Sequence, residues 1–215
     1  MNLYLIRHGQ TDWNIDGKLQ GRTDIPLNET GVKQAGYLAE GMKKRPVTQV
    51  FSSFLTRARQ TAQAVADSQQ VPVIITDGLE EVSFGVWEGL TWKEVRETKL
   101  PEEMRERFLN PTEFRPEGGE LPDEVMARCA VAMRSIMSQM KKCGGDAAIV
   151  SHGAMLIYLI AYLLGEDPAG ADIVVGNASI TTIQYDEERG LFSLVQMNDQ
   201  RHLNRICEID RKKMM

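Results

Sequence analysis

The chain has 215 residues, a formal net charge of -5, and 42% hydrophobic against 26% charged residues. That is enough for one sizeable core and short for two independent ones, and the acidic balance gives no bulk attraction for a polyanion such as nucleic acid. An arginine that binds an anion here must therefore act locally.

The first predicted element is an apolar strand, Leu3 to Ile6, ending in Arg7-His8-Gly9. Its lack of a basic region followed by a long apolar stretch predicts no signal peptide, and no apolar run reaches the length of a membrane span. A second short strand, Val47 to Phe51, closes on Ser52-Ser53 and leads into an alanine- and glutamine-rich helix over 56–69. Arg57 and Arg59 cannot point the same way from that helix start, so at most one faces a site above the sheet. Val71 to Ile75 reads as a third strand.

Residues 90–120 interrupt the rhythm with Pro101, Pro111, Pro116, Gly118-Gly119 and a charged helical stretch around Glu102 to Phe108. They read as an excursion covering the substrate, within a single domain spanning 1–215. An apolar-striped helix includes Val131 to Met140, a buried strand runs from Ala147 to Val150, and a helix follows over 154–164. Ser179 to Tyr185 and Leu191 to Met197 form two late strands joined by a turn at Asp186 to Gly190, and one of them offers an edge for a homodimer, although a monomer fits equally well. Alternating strands and helices predict a three-layer α/β/α sandwich around a mostly parallel sheet. Cys129, Cys143 and Cys207 are odd in number and widely spaced, so a reducing, cytoplasmic compartment is expected and neither a zinc knuckle nor a redox motif. The basic tail Arg211-Lys212-Lys213 reads as a solvated end.

Of the three histidines, His8 and His152 both sit where a strand runs out, each followed by glycine; the second lies in Ser151-His152-Gly153. Strand ends are where open α/β sheets carry their chemistry, and glycine there permits a sharp turn and close approach of a ligand. Arginine matches two phosphoryl oxygens with a fixed fork of donors. Arg7 and Arg57 at adjacent strand ends would repel each other without an anion between them. A carboxyl beside a bound phosphoryl group keeps its proton and can hand it to a leaving oxygen; Glu80, Glu81 and Glu88 all qualify on composition. No Asp-rich phosphotransfer signature or His/Cys cluster of ligand spacing is present, so neither metal nor cofactor is expected.

Together these segments resemble the histidine phosphatase superfamily, also called the phosphoglycerate mutase-like family. The resemblance rests on Arg7-His8-Gly9, Ser53 with Arg57-Ala58 and Thr61-Ala62, Glu81 with Phe84 to Gly89, and Ser151-His152-Gly153. Asn14, Gln20-Gly21-Arg22, Asp24 and Pro26-Leu27 add to it, and Asn198-Asp199 with His202-Leu203 is similar to the small bacterial branch containing α-ribazole and broad-specificity phosphatases. The resemblance implies His8 as nucleophile, Glu81 as proton donor, and His152 as a second catalytic histidine donating to the phosphoryl group. It implies Arg7, Asn14 and Arg57 as phosphate contacts. Gln10 stands where many members have glutamate, beside the pocket, and Phe84, Trp87 and Arg115 are candidate pocket residues, as are Phe108 and Phe114.

The expected activity is metal-independent hydrolysis of a small phosphomonoester, such as α-ribazole phosphate, phosphoserine or a sugar phosphate, through phosphohistidine. No nucleic-acid or membrane partner is expected. A phosphoglycerate mutase is the alternative, with Arg96, Arg105, Arg107 and Arg115 available to an acidic substrate. A non-catalytic scaffold fits poorly with His8, Arg57, Glu81 and His152 all present. A nicotinamide-dependent oxidoreductase fits worse, because no spaced glycine fingerprint follows the first strand.

Overall fold

The computed structural model describes residues 1–99 and 116–204. The helical stretch expected around Glu102 to Phe108, and with it Arg105, Arg107, Phe114, Arg115, Cys207 and the basic tail, lies outside the described residues.

Six strands form one sheet: β1 (Asn2–Arg7), β2 (Gln49–Ser52), β3 (Val73–Ile75), β4 (Ala147–Ser151), β5 (Ile180–Asp186) and β6 (Leu191–Asp199), in the order β3-β2-β4-β1-β5-β6. The first four in that order run parallel, and β5 and β6 are antiparallel to their neighbours. β4 therefore lies between β1 and β2. Arg7 and Arg57 do not come from adjacent strands as the sequence suggested; the chain that carries His152 separates them.

Alternation along β1 builds the three layers. Leu3 and Leu5 face one core with α5 (Pro122–Cys143) and α6 (Gly153–Leu164), whereas Tyr4 and Ile6 face the other with α2 (Glu29–Met42) and α3 (Thr56–Gln69). With a period of two, neighbouring side chains must face opposite ways. Burying each such aliphatic side chain contributes roughly 1.5–3 kcal/mol. The α5 stripe of Val125, Cys129, Ala132, Met133, Ile136 and Met140 is fully helical in period, and Pro122 in the first turn with Gly144 at the end sets its length.

α2 is the one core helix absent from the sequence reading. Its buried face is Gly31, Ala35, Leu38, Ala39 and Met42, mostly small residues that give a weak hydrophobic stripe. Two short helices, α1 (Asp12–Ile15) and α4 (Trp92–Thr98), flank the C-terminal ends of the parallel strands. Among the described residues no helix is long and apolar enough to cross a membrane.

Candidate active site

The register of the central strands brings the two histidines together. Arg7 pairs with Ser151 across β1 and β4, and the His8 N–H extends the ladder to the Ser151 carbonyl at 3.0 Å. Both chains leave the sheet at the same edge, and the imidazole centroids of His8 and His152 lie 5.2 Å apart at 57°. The His8 Nδ1 is 2.6 Å from the Gly9 carbonyl oxygen. A carbonyl can only accept, so Nδ1 carries the proton and Nε2 of the neutral ring keeps its lone pair. Burial, then the charges of Arg7 and Arg57, hold the His8 pKa well below the ordinary value, so the ring stays neutral. Gly9 and Gly153 lie outside the left-handed region taken by ten other described glycines, so space and not a special turn explains them. A Cβ on Gly9 would stand 2.6 Å from the Gly31 carbonyl oxygen.

Arg57 is fully buried at the start of α3 and Arg59 is exposed, so the two diverge from that helix start. Asp24 fixes that helix start by accepting from the Thr56 N–H and hydroxyl, each at 2.7 Å. The Arg57 guanidinium donates through Nη1 to Thr23 O at 2.9 Å, through Nη2 to Gly21 O at 2.8 Å and through Nε to His152 Nδ1 at 3.2 Å. Because Arg57 can only donate, His152 Nδ1 accepts and its proton sits on Nε2, 2.8 Å from Ser53 Oγ. Burial, with Arg57 the next largest influence, keeps His152 neutral as well.

The three candidate carboxylates separate cleanly. Glu80 faces Arg22 at 3.2 Å, and Glu88 accepts from the Arg22 and Thr23 N–H groups and from the Thr23 hydroxyl. Glu81 alone lines the cavity above His8. It is buried and accepts from the N–H groups of Met155 at 2.8 Å, Ala154 at 3.3 Å and Val82 at 3.0 Å. It thereby satisfies two of the otherwise unpaired N–H groups at the start of α6.

Arg7 donates through Nη1 to Val175 O at 2.8 Å, whereas its buried Nε has no partner among the described residues. A Cβ on Gly153 would sit 3.3 Å from the Arg7 guanidinium carbon, so the glycine makes room for the fork. Asn14 Oδ1 accepts from the Thr11 N–H at 3.0 Å and from Asn177 Nδ2 at 3.1 Å, and the residue lines the cavity. Asn177 also donates to the His8 carbonyl, tying the loop after β1 to the approach to β5.

Arg7, His8, Asn14, Glu81 and Gly153 form one end of a cavity of about 570 Å³. The rest of its lining includes Leu19, Phe84, Trp92, Ile157 and Tyr158, with Lys18 and Glu120 as its charged members. Phe84 and Trp87 each meet Trp92 edge-on, with centroids 6.1 and 6.3 Å apart. Among the described residues no three His, Cys, Asp or Glu side chains are grouped to hold a metal ion.

The family model described as the histidine phosphatase superfamily (branch 1) matches residues 3–200. The chain belongs to that superfamily. A curated superfamily relative, the probable phosphoglycerate mutase GpmB of Yersinia enterocolitica, is 31% identical over 211 residues, covering 95% of each chain. Phosphoserine phosphatase from Entamoeba histolytica, solved with 3-phosphoglyceric acid, superposes with TM-score 0.78 at 32% identity, covering 94% of this chain and 98% of that one. Mycobacterial glucosyl-3-phosphoglycerate phosphatase, solved with VO3, gives TM-score 0.81 at 29% identity over 93% and 99%.

Within this superfamily fold, Trp87 and Phe84 line the cavity, and Trp92, Pro116 and Glu120 line it from the described ends of the 90–120 segment. Gln10 does not line it: its side chain accepts from Asn28 Nδ2 at 3.3 Å, at the start of α2. The chain turns away from the pocket there because Gly31 packs against the Gln10 backbone. Arg57 and His152 lie behind the cavity surface, bonded to each other, and Arg115 is outside the described residues. Sequence reasoning missed Asn177, and it named Thr61 and Ser53 without their parts: Thr61 accepts from the Gly9 N–H at 3.1 Å, and Ser53 meets His152 Nε2. His202 is held on the Ala178 carbonyl at 2.8 Å, beside α2 and away from the two site histidines.

Proposed function

We propose that this protein is a metal-independent phosphomonoester hydrolase that forms a phosphohistidine on His8 and uses Glu81 as proton donor. The observation that carries this reading is the buried, neutral His8 ring, anchored through Nδ1 on Gly9 O at 2.6 Å, with Glu81 in the same cavity. Nε2 attacks phosphorus in line as the bond to the alcohol oxygen breaks, and that oxygen takes its proton from Glu81. Charge growing on the equatorial oxygens meets the Arg7 fork and the Asn14 amide, with Arg57 and His152 behind them. Their positive charge and donors take the part a divalent cation would play. Water then attacks phosphorus, Glu81 accepts its proton, the phosphorus–nitrogen bond breaks, and inorganic phosphate leaves.

The wall of Leu19, Phe84, Trp92, Ile157 and Tyr158 suits an alcohol with an apolar or aromatic face. A small phosphorylated metabolite of that kind is the proposed substrate. A phosphoglycerate mutase is the second reading, favoured by the name of the Yersinia relative. A mutase must bind a second anionic group, and among the described wall residues the cation is Lys18, which is paired with Asp16 at 3.2 Å. Phosphorus NMR in excess EDTA separates the readings, using α-ribazole phosphate, phosphoserine and 3-phosphoglycerate primed with 2,3-bisphosphoglycerate. Growth of inorganic phosphate supports the hydrolase. Conversion of 3- to 2-phosphoglycerate with little free phosphate overturns it in favour of the mutase.

A further inference from the structure

Glu81 sits in a loop with no strand or helix of its own, between β3 and the 3-10 turn Gly85–Trp87. A proton donor must nevertheless be held to a fraction of an ångström. The three carbonyls that precede it are all taken. Arg128 Nη1, from α5, donates to Gly78 O at 2.9 Å and to Glu80 O at 2.8 Å, and the Ser151 hydroxyl donates to Leu79 O at 2.6 Å.

The chain after Glu81 is held by the partner of the same arginine. Glu120 accepts a two-pronged bond from Arg128, Nε at 2.9 Å and Nη2 at 3.0 Å, and its Oε2 also accepts from the Ser83 N–H at 2.9 Å. Arg22 reaches Glu120 from outside at 2.9 Å. Side-chain exposures of 13% and 14% leave the Arg128–Glu120 pair little water to compete with its bonds. One ion pair therefore clamps the loop on both sides of Glu81. Lysine would keep the charge at position 128 and lose the geometry, because a single ammonium cannot reach two carbonyls and grip a carboxylate side-on.

We propose that Arg128, with Glu120 and Ser151, is a positioning residue for Glu81: it fixes the 78–83 loop so that the carboxyl stays on the Met155 and Ala154 N–H groups and points at the leaving oxygen. This rests on Glu81 being the proton donor. A donor out of place matters for esters whose alcohol needs a proton and little for those whose leaving group departs as a stable anion.

The test compares kcat/KM for Arg128→Lys, Ser151→Ala and Glu81→Gln on phenyl phosphate and on 2,4-dinitrophenyl phosphate. Arg128→Lys should lose about ten- to hundredfold on the phenyl ester and less than about threefold on the dinitrophenyl ester. Ser151→Ala should follow in the same direction with a smaller loss, and Glu81→Gln should show the same selectivity at larger size. Equal losses on both esters, or none, overturn the role. If Arg128→Lys does not fold, Ser151→Ala carries the comparison. If the wild type hydrolyses neither ester, the hydrolase reading is judged by the phosphorus NMR test and not by these esters. The positioning role is then read from the Ala154 amide resonance, which must shift in Arg128→Lys if the arginine holds Glu81 against it; Met155 is no readout, because Arg128 Nη1 itself lies 2.8 Å from Met155 Sδ. A resonance that stays in place overturns the role.

Discussion

The two ends of the cavity are built by different means. The phosphoryl end hangs from the C-terminal edges of β1 and β4 and the start of α3, where His8, Arg57 and His152 are buried and locked by bonds to backbone and to one another. The remaining wall comes from segments scattered along the chain, Lys18 and Leu19, Phe84, Trp92, Ile157 and Tyr158, and much of it is only half-buried. A sheet edge can hold reacting groups still, whereas loops and helix faces can change side chains without disturbing it. Chemistry should thus be lost at one end and re-ranked at the other.

The largest expected effect tests that division directly. His8→Ala should lower kcat/KM by at least about 10⁴-fold on every ester, with unchanged circular dichroism. A variant that kept appreciable turnover on any ester would mean that another group attacks phosphorus.

Stability should also respond to pH through the histidines of the phosphoryl end, with half-buried His202 beside α2 adding in the same direction. Burial holds the pKa of His8 and of His152 below the ordinary value of 6.5, so the unfolded chain binds these protons first as pH falls. The contribution is fully present above pH 6.5 and lost progressively below it, by up to about 1.4 kcal/mol per pH unit for each ring. Urea unfolding at pH 7.0, 6.0 and 5.0 should show this slope, and His152→Asn should flatten it. An unchanged slope in that variant would place the acid sensitivity elsewhere.

The same contrast governs what the sequence revealed. Arg7-His8-Gly9 and Ser151-His152-Gly153 were legible because an apolar strand that stops in polar residues has one place to put them, the edge of a sheet. The parallel core and its layers followed from strand–helix alternation. Glu81 was not separable from Glu80 and Glu88 by composition, since what distinguishes it is the N-terminus of α6, more than 70 positions away in the chain. Arg128 and Asn177 were invisible for the same reason. Gln10 was misplaced because adjacency to His8 in sequence is not adjacency to the cavity once the chain has turned onto Gly31. α2 went unread because its buried stripe is largely glycine and alanine.

A milder intrusion on the phosphoryl end should show how tightly Arg7 is held. In Gly153→Ala the new methyl would stand 3.3 Å from the Arg7 guanidinium carbon, closer than carbon atoms settle, so the fork must shift by a few tenths of an ångström. kcat/KM should fall about tenfold on all esters alike, with binding of vanadate weakened in parallel. A loss confined to one ester would place the effect in the wall.

Phe84→Ala makes the smallest change and addresses the wall by itself. The ring is half-buried, faces the cavity and meets Trp92 edge-on at 6.1 Å, while its backbone N–H is held by Glu88 whatever the side chain. Removing an aromatic contact of this kind costs about 0.5–1.5 kcal/mol, so KM for an aryl phosphate should rise roughly three- to tenfold. kcat should stay put, because the contact is the same in ground and transition states. Phosphoserine, with no aromatic face to place there, should change by less than about twofold on the same reasoning. If both esters lose equally, or if kcat falls, Phe84 supports the Glu81 loop and not the substrate, and the two ends of the cavity are less independent than their construction implies.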